Sequence, residues 1–153
     1  MGFVDKHLLP GETVSFRTHL HWKIYIQPIF IALIIGVPAS IWLFNTDHKP
    51  FILIPVALAA VLMLVAHMQR MGSEFAVTNK RVIFKTGVGS THSIELLLSK
   101  VEAIAVNQTV MGRMLGYGEI DVTGSGGTRE TFASIQSPYD FRSAVQAATD
   151  PGK

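Results

Sequence analysis

The chain has 153 residues, enough for one modest domain or for a helical hairpin with a small domain beside it, and 48% of them are hydrophobic. Its mean hydropathy of +0.35 is high for a water-soluble protein. The absence of cysteine excludes disulfides, thiolate metal sites and cysteine nucleophiles, and a formal charge of +2, spread thinly, does not make the concentrated basic face that nucleic acid requires.

In chain order, residues 1–23 read as a cytoplasmic N-terminal segment. They are not a cleavable signal: Asp5 and Glu12 precede the first apolar run, which starts late and exceeds the usual length of a signal core, so the run reads as an uncleaved anchor. Leu9-Pro10-Gly11 is a turn signal. Val14, Phe16 and Thr18 then alternate with Thr13, Ser15 and Arg17, the period of a short strand. A strand of this length does not persist alone, so it is expected to join a sheet formed later in the chain, on the same side of the membrane.

Residues 24–68 read as a transmembrane hairpin. Ile24–Phe44 and Phe51–Met68 contain no Asp, Glu, Lys or Arg and are separated by the polar connector Asn45–Pro50. At about 1.5 Å per residue the two runs reach roughly 27–31 Å, close to the ~30 Å hydrocarbon core of a bilayer. Lys6, Arg17 and Lys23 precede the first run and Arg70, Lys80, Arg81 and Lys85 follow the second, against Lys49 alone in the connector, which places both termini in the cytoplasm. Trp22, Tyr25 and Trp42 stand where interfacial anchors belong. Pro28 and Pro55 fall in first turns, whereas Pro38 is expected to kink the first helix. His67 reads as a flank residue near the headgroups more readily than as an intramembrane proton site.

Residues 72–149 change character. The runs 74–78, 82–86, 93–98, 101–108, 119–123 and 131–135 are rich in β-branched and aromatic residues and are broken at Asn79-Lys80, Gly87–Ser90, Gly116–Gly118 and Gly124–Gly127, a meander of about six strands. Ser137 as N-cap, Pro138 at the first helical position and Asp140 as a capping-box partner then open a helix, with Phe141, Ala144, Val145 and Ala148 on one face. This helix is expected to cover the open end of a curled sheet.

Several short motifs in this order carry a family resemblance: Leu8-Leu9-Pro10-Gly11-Glu12, Glu74–Ile83, Lys85-Thr86-Gly87, Ile94-Glu95-Leu96, Lys100-Val101-Glu102, Gly112-Arg113 and Gly116-Tyr117-Gly118. With the hairpin, they resemble the membrane-anchored bacterial pleckstrin-homology (PH) domain family over nearly the whole chain. The resemblance implies a membrane α hairpin plus an α+β, mainly-β PH-like domain: a bent antiparallel sheet or partly open barrel capped by a C-terminal helix, with no established enzymatic activity. It does not supply a ligand, because one fold serves many functions.

Candidate chemistry is sparse. Lys80, Arg81 and Lys85 on the first hairpin of the domain suit an anionic leaflet or headgroup at about 1 kcal/mol per charge, or serve only orientation and solubility. Arg113 reads as a buried or half-buried charge seeking Glu119 or Asp121. Gly124-Ser125-Gly126-Gly127-Thr128 lacks the Gly-Lys-Ser/Thr ending of a phosphate cradle and reads as a flexible loop. His7, His19 and His21 lack the ligands that would complete a metal set. Asn107-Gln108-Thr109 fits a glycosylation pattern, which the cytoplasmic side makes irrelevant. No spacing unites a nucleophile, a base and a histidine in the C-terminal domain, so neither catalysis nor a cofactor is expected.

The sequence therefore reads as a membrane-anchored, cytoplasm-facing binding or assembly module. Its partners are the bilayer and another membrane protein or a second copy of itself, with small residues on the helices (Ala32, Gly36, Ala39; Ala57, Ala59, Ala60) as contact points. These residues equally suit packing of the two helices on each other. The alternative is recognition of anionic lipid headgroups by the basic first hairpin.

Overall fold

A computed structural model describes residues 2–46, 49–89 and 92–150. Asp47 and His48 of the connector, and Ser90 of the Gly87–Ser90 break, lie outside them. The chain divides into two compact units, one formed by the described residues of Met1–His21 and Gly72–Lys153, the other by Trp22–Met71.

The first unit begins with a one-turn helix, α1 (Phe3–Lys6), and strand β1 (Val14–Thr18). After the apolar segment come β2 (Glu74–Thr78), β3 (Arg81–Thr86) and β4 (His92–Leu97). A 3₁₀ turn, Leu98–Lys100, leads into β5 (Val101–Asn107). A short helix spans Val110–Leu115, and β6 (Tyr117–Gly124), β7 (Arg129–Gln136) and a C-terminal helix, Pro138–Thr149, complete the unit. The strands make two antiparallel sheets, in the orders β1-β2-β3-β4 and β5-β6-β7. The arrangement is open: the expected bent sheet is divided where the chain turns its corner through Leu98–Lys100. On the other side the continuation of β1 joins the sheets, with Leu20 bridged to Ile135 and His21 N–H donating to the Ser134 carbonyl at 2.8 Å.

The core lies between the sheets. Phe75, Phe84, Phe132 and Phe141 form an aromatic cluster, Phe84 stacking on Phe132 at 4.2 Å between ring centres and lying 5.5 Å from Phe141. Val77, Val82, Ile120, Val122, Ile135 and Val145 fill in around them. Burial of each such side chain contributes roughly 1.5–3 kcal/mol. Every residue of β2 is buried, because Val4, Leu8 and Val14 cover its outer face at Ala76, beside Ile83 of β3, while Phe75 and Val77 face the core. Strand β2 therefore lacks the one-sided alternation of a sheet that faces water.

The C-terminal helix starts at Pro138, as the sequence indicates, but Ser137 does not cap it with its side chain. Its backbone is left-handed (φ 49°), set by the reversal out of β7 and by its N–H bonding to the Gly116 carbonyl at 2.9 Å. A side-chain cap needs an extended residue there.

The second unit consists of two helical segments, Trp22–Phe44 and Leu53–Gly72, both long and apolar enough to cross a membrane. The helix reaches beyond Met68 because Gln69, Arg70 and Met71 extend it with polar and flexible side chains. Numbered in chain order, the first segment is α2 (Ile26–Ile31) and α3 (Val37–Phe44), preceded by a 3₁₀ turn at Trp22–Tyr25 and interrupted by a π-helical turn at Ala32–Gly36; the second is α4 (Leu53–Gly72). The π turn is the form the expected proline kink takes: Pro38 has no N–H for the Ile34 carbonyl, and the widened turn absorbs the mismatch. Ala32, Gly36 and Ala59 line an apolar cleft of about 370 Å³ between the two helical segments. Near the ends, Tyr25 Oη lies 3.0 Å from His67 Nδ1. The remaining two helices, in chain order, are α5 (Val110–Leu115) and α6 (Pro138–Thr149).

Candidate functional site

Two features of the strand-rich unit bear on function: a polar clamp that absorbs most of the basic motif, and a groove beside an edge strand.

The clamp joins two turns far apart in sequence. Leu9 accepts at its carbonyl from Glu12 N–H, closing the Leu9-Pro10-Gly11-Glu12 turn, and Glu12 Oε2 accepts back from Leu9 N–H at 2.7 Å. The Glu12 carboxylate, fully enclosed, also accepts from Arg81 Nε and Nη2, each at 2.9 Å, and lies 2.7 Å from the Thr78 hydroxyl. Arg81 further donates to Glu95 at 2.5 Å and to the His7 carbonyl at 2.7 Å. Asn79 exchanges bonds with Thr13 and donates to the Gly11 carbonyl, and Lys80 Nζ donates to the Pro10 carbonyl at 2.9 Å. Burial pushes the Glu12 carboxyl up, but Arg81, the Leu9 N–H and Thr78 outweigh it and hold the group below its ordinary range. Arg81 is raised by its hydrogen bonds to Glu12 and by Glu95, so this pair stays charged.

The three basic residues of the first hairpin are thus not gathered on one face. Lys80 and Arg81 sit at the turn between β2 and β3, with Arg81 buried in the clamp. Lys85 is paired with Glu74 at the opposite end of the same hairpin, its ammonium 4.3 Å from the ring centre of Phe3. Arg113 is exposed on α5, not buried. Asp121, one of its expected partners, instead accepts from Thr131, Arg129 and Asn107, which hold its carboxyl below the usual range. Among the histidines, His7 stacks on Phe3 whereas His21 is buried against Tyr117, so the two serve different neighbours.

The groove was not legible in the sequence, because it depends on which strand ends a sheet. Strand β5 is the end strand of its sheet and pairs with β6 on one side. Along its other side runs α6, and between them opens a groove of about 560 Å³. Val101, Ala103 and Ile104 of the strand and Val145 and Ala147 of the helix give it an apolar floor, with Glu102, Gln146 and Asp150 at its polar rim. An end strand presents a row of backbone donors and acceptors to whatever extended segment lies alongside, and alternate side chains of that segment then fall on the floor and on the rim. The two carboxylates favour a segment that carries a basic side chain.

Among known proteins, a family model described as Bacterial PH domain matches residues 25–149. No curated protein and no solved structure matches the chain.

Proposed function

This chain belongs to the bacterial PH domain family, and from that premise we propose that it is a non-catalytic binding module held at the bacterial inner membrane. In this reading Trp22–Phe44 and Leu53–Gly72 cross the bilayer, both termini are cytoplasmic, and the module takes up an extended segment of a protein partner along β5, under α6. The partner is another membrane protein or a second copy of the chain. The observation that carries the binding reading is the groove beside the end strand: it offers unpaired main-chain groups, an apolar floor and an acidic rim in one place. Support for the membrane reading comes from exposure. Leu53, Trp42, Ile35 and Leu33 are each at least 60% exposed, together with most of their neighbours, more contiguous apolar surface than a monomer in water sustains.

The test is photo-crosslinking in native membranes with a benzophenone amino acid at Gln146, on the groove rim, and at Ser125, an exposed residue of the β6–β7 turn, as control. A discrete protein adduct at position 146 and none at 125 is expected. An adduct of twice the chain's mass identifies a second copy as the partner. Equal labelling at both positions, or none at 146, refutes the groove as the binding site. A periplasm-dependent reporter that is active at the C-terminus refutes the topology.

A further inference from the structure

We infer that α5 is an interfacial anchor, whose exposed apolar side chains seat in the headgroup layer of the bilayer. This rests on the membrane reading above. Of the six residues of α5, Val110, Met111, Met114 and Leu115 are apolar and exposed, Val110 at 81% and Met114 at 76%. The helix is seated through Gly112, the one residue it buries: a Cβ there would meet the Tyr117 carbonyl at 2.6 Å. The apolar side chains therefore point outward by construction, with Arg113 among them. Apolar side chains that sink and a guanidinium that stays with phosphates are what a helix lying in a lipid interface needs.

The position of α5 in its unit selects lipid over a protein occupant. Gly116 ends α5 and Tyr117 follows it, its ring 5.2 Å from that of His21, the last residue of this unit before the first membrane-length helix. Leu20 is bridged to Ile135, and Ser137 N–H donates to the Gly116 carbonyl. The chain returns to the unit at Gly72, at the same end, because Thr18 lies opposite Phe75 in the β1–β2 register. Strand β6 runs from this end to the Gly124–Thr128 turn, about 23 Å away at ~3.3 Å per residue. The exposed apolar helix thus stands at the end of the unit where the chain leaves at His21 and returns at Gly72.

The test uses the full chain, which has no native cysteine, in nanodiscs of phosphatidylethanolamine and phosphatidylglycerol. Single variants Met114→Cys, Ser125→Cys and Leu58→Cys carry an environment-sensitive fluorophore, and iodide in the aqueous phase quenches it. The label at 114 is expected to emit blue-shifted light and to be quenched several-fold less than that at 125, as for a depth of about 5–10 Å. The label at 58, in the membrane-length helix, is expected to be quenched least. If 114 is as accessible as 125 while 58 is protected, the anchor is overturned and the membrane reading stands. If 58 is accessible too, the membrane reading itself fails and the anchor with it. Protection of 114 only in discs holding two copies identifies a second chain as the occupant and also overturns the anchor.

Discussion

Replacing Glu12 by alanine tests whether the clamp between the N-terminal turn and the β2–β3 turn holds the first sheet together. The substitution removes four contacts from a fully enclosed carboxylate: Arg81 Nε and Nη2, the Leu9 N–H and the Thr78 hydroxyl. It leaves Arg81, whose side chain is only 11% exposed, with Glu95 and the His7 carbonyl. Removing one partner of a buried ion pair costs about 3–5 kcal/mol, and the two contacts that Arg81 retains put this case near the lower end, about 3 kcal/mol. At about 1.4 kcal/mol per factor of ten, amide exchange in the clamped strands should accelerate by roughly 10²-fold. The readout is hydrogen exchange at Phe75–Val77 and Val82–Phe84 in the reconstituted protein. Tryptophan fluorescence does not serve, because Trp22 and Trp42 both lie in the other unit. Glu95→Ala is the contrast: its carboxylate is 38% exposed, so its loss should cost only about 0–1 kcal/mol. An E12A variant whose exchange in these strands changes by less than about threefold, roughly 0.7 kcal/mol, refutes the clamp as a stabilising element.

The acid limb of stability follows from three carboxylates. Asp5 is lowered from 3.8 to about 2 by Arg17 and the Gly2 N–H; Glu12 and Asp121 are lowered by the partners already described. A carboxylate whose folded pKa lies below its unfolded one contributes stability that is whole above the unfolded value and is lost as pH falls through the folded one. Exchange protection should therefore stay flat from neutral pH to about 5 and fall below about 4, and protection that rises on acidification to pH 3 contradicts this. Deleting residues 2–17 removes Glu12 and all of β1 but Thr18, baring the edge of β2 and the ring of Phe141, which lies 6.3 Å from that of Phe16 in the intact chain. Limited proteolysis of the truncated protein should then cut within β2 and β3, and an unchanged digestion pattern would show the N-terminal segment to be independent of the sheet.

What could be read from the sequence was what depends on local pattern. The β-rich runs after Gly72, the helix at Pro138 and the two long apolar segments each carry their own periodicity or composition, and each stands close to where that pattern puts it. Helix α5 does not, because six residues with a glycine in the middle are too short for a helical period, and Gly112 and Gly116 look like breaks. Only the fold shows that Gly116 is a left-handed C-cap (φ 76°) and that Gly112 lets α5 approach Tyr117. Strand β6 likewise begins at Tyr117, inside what reads as a turn.

The basic motif shows the same limit for chemistry. Lys80, Arg81 and Lys85 are adjacent in sequence and look like one positive face, but a hairpin separates its turn from its open end, and Arg81 meets Glu12, 69 residues earlier. The partner that decides what an arginine does lies across the whole apolar segment, where no local pattern points to it. The same long-range closure gives that segment its place in the protein. Because β1 pairs with β2 and Glu12 with Arg81, the strand-rich unit is complete only when the residues on both sides of Trp22–Met71 come together.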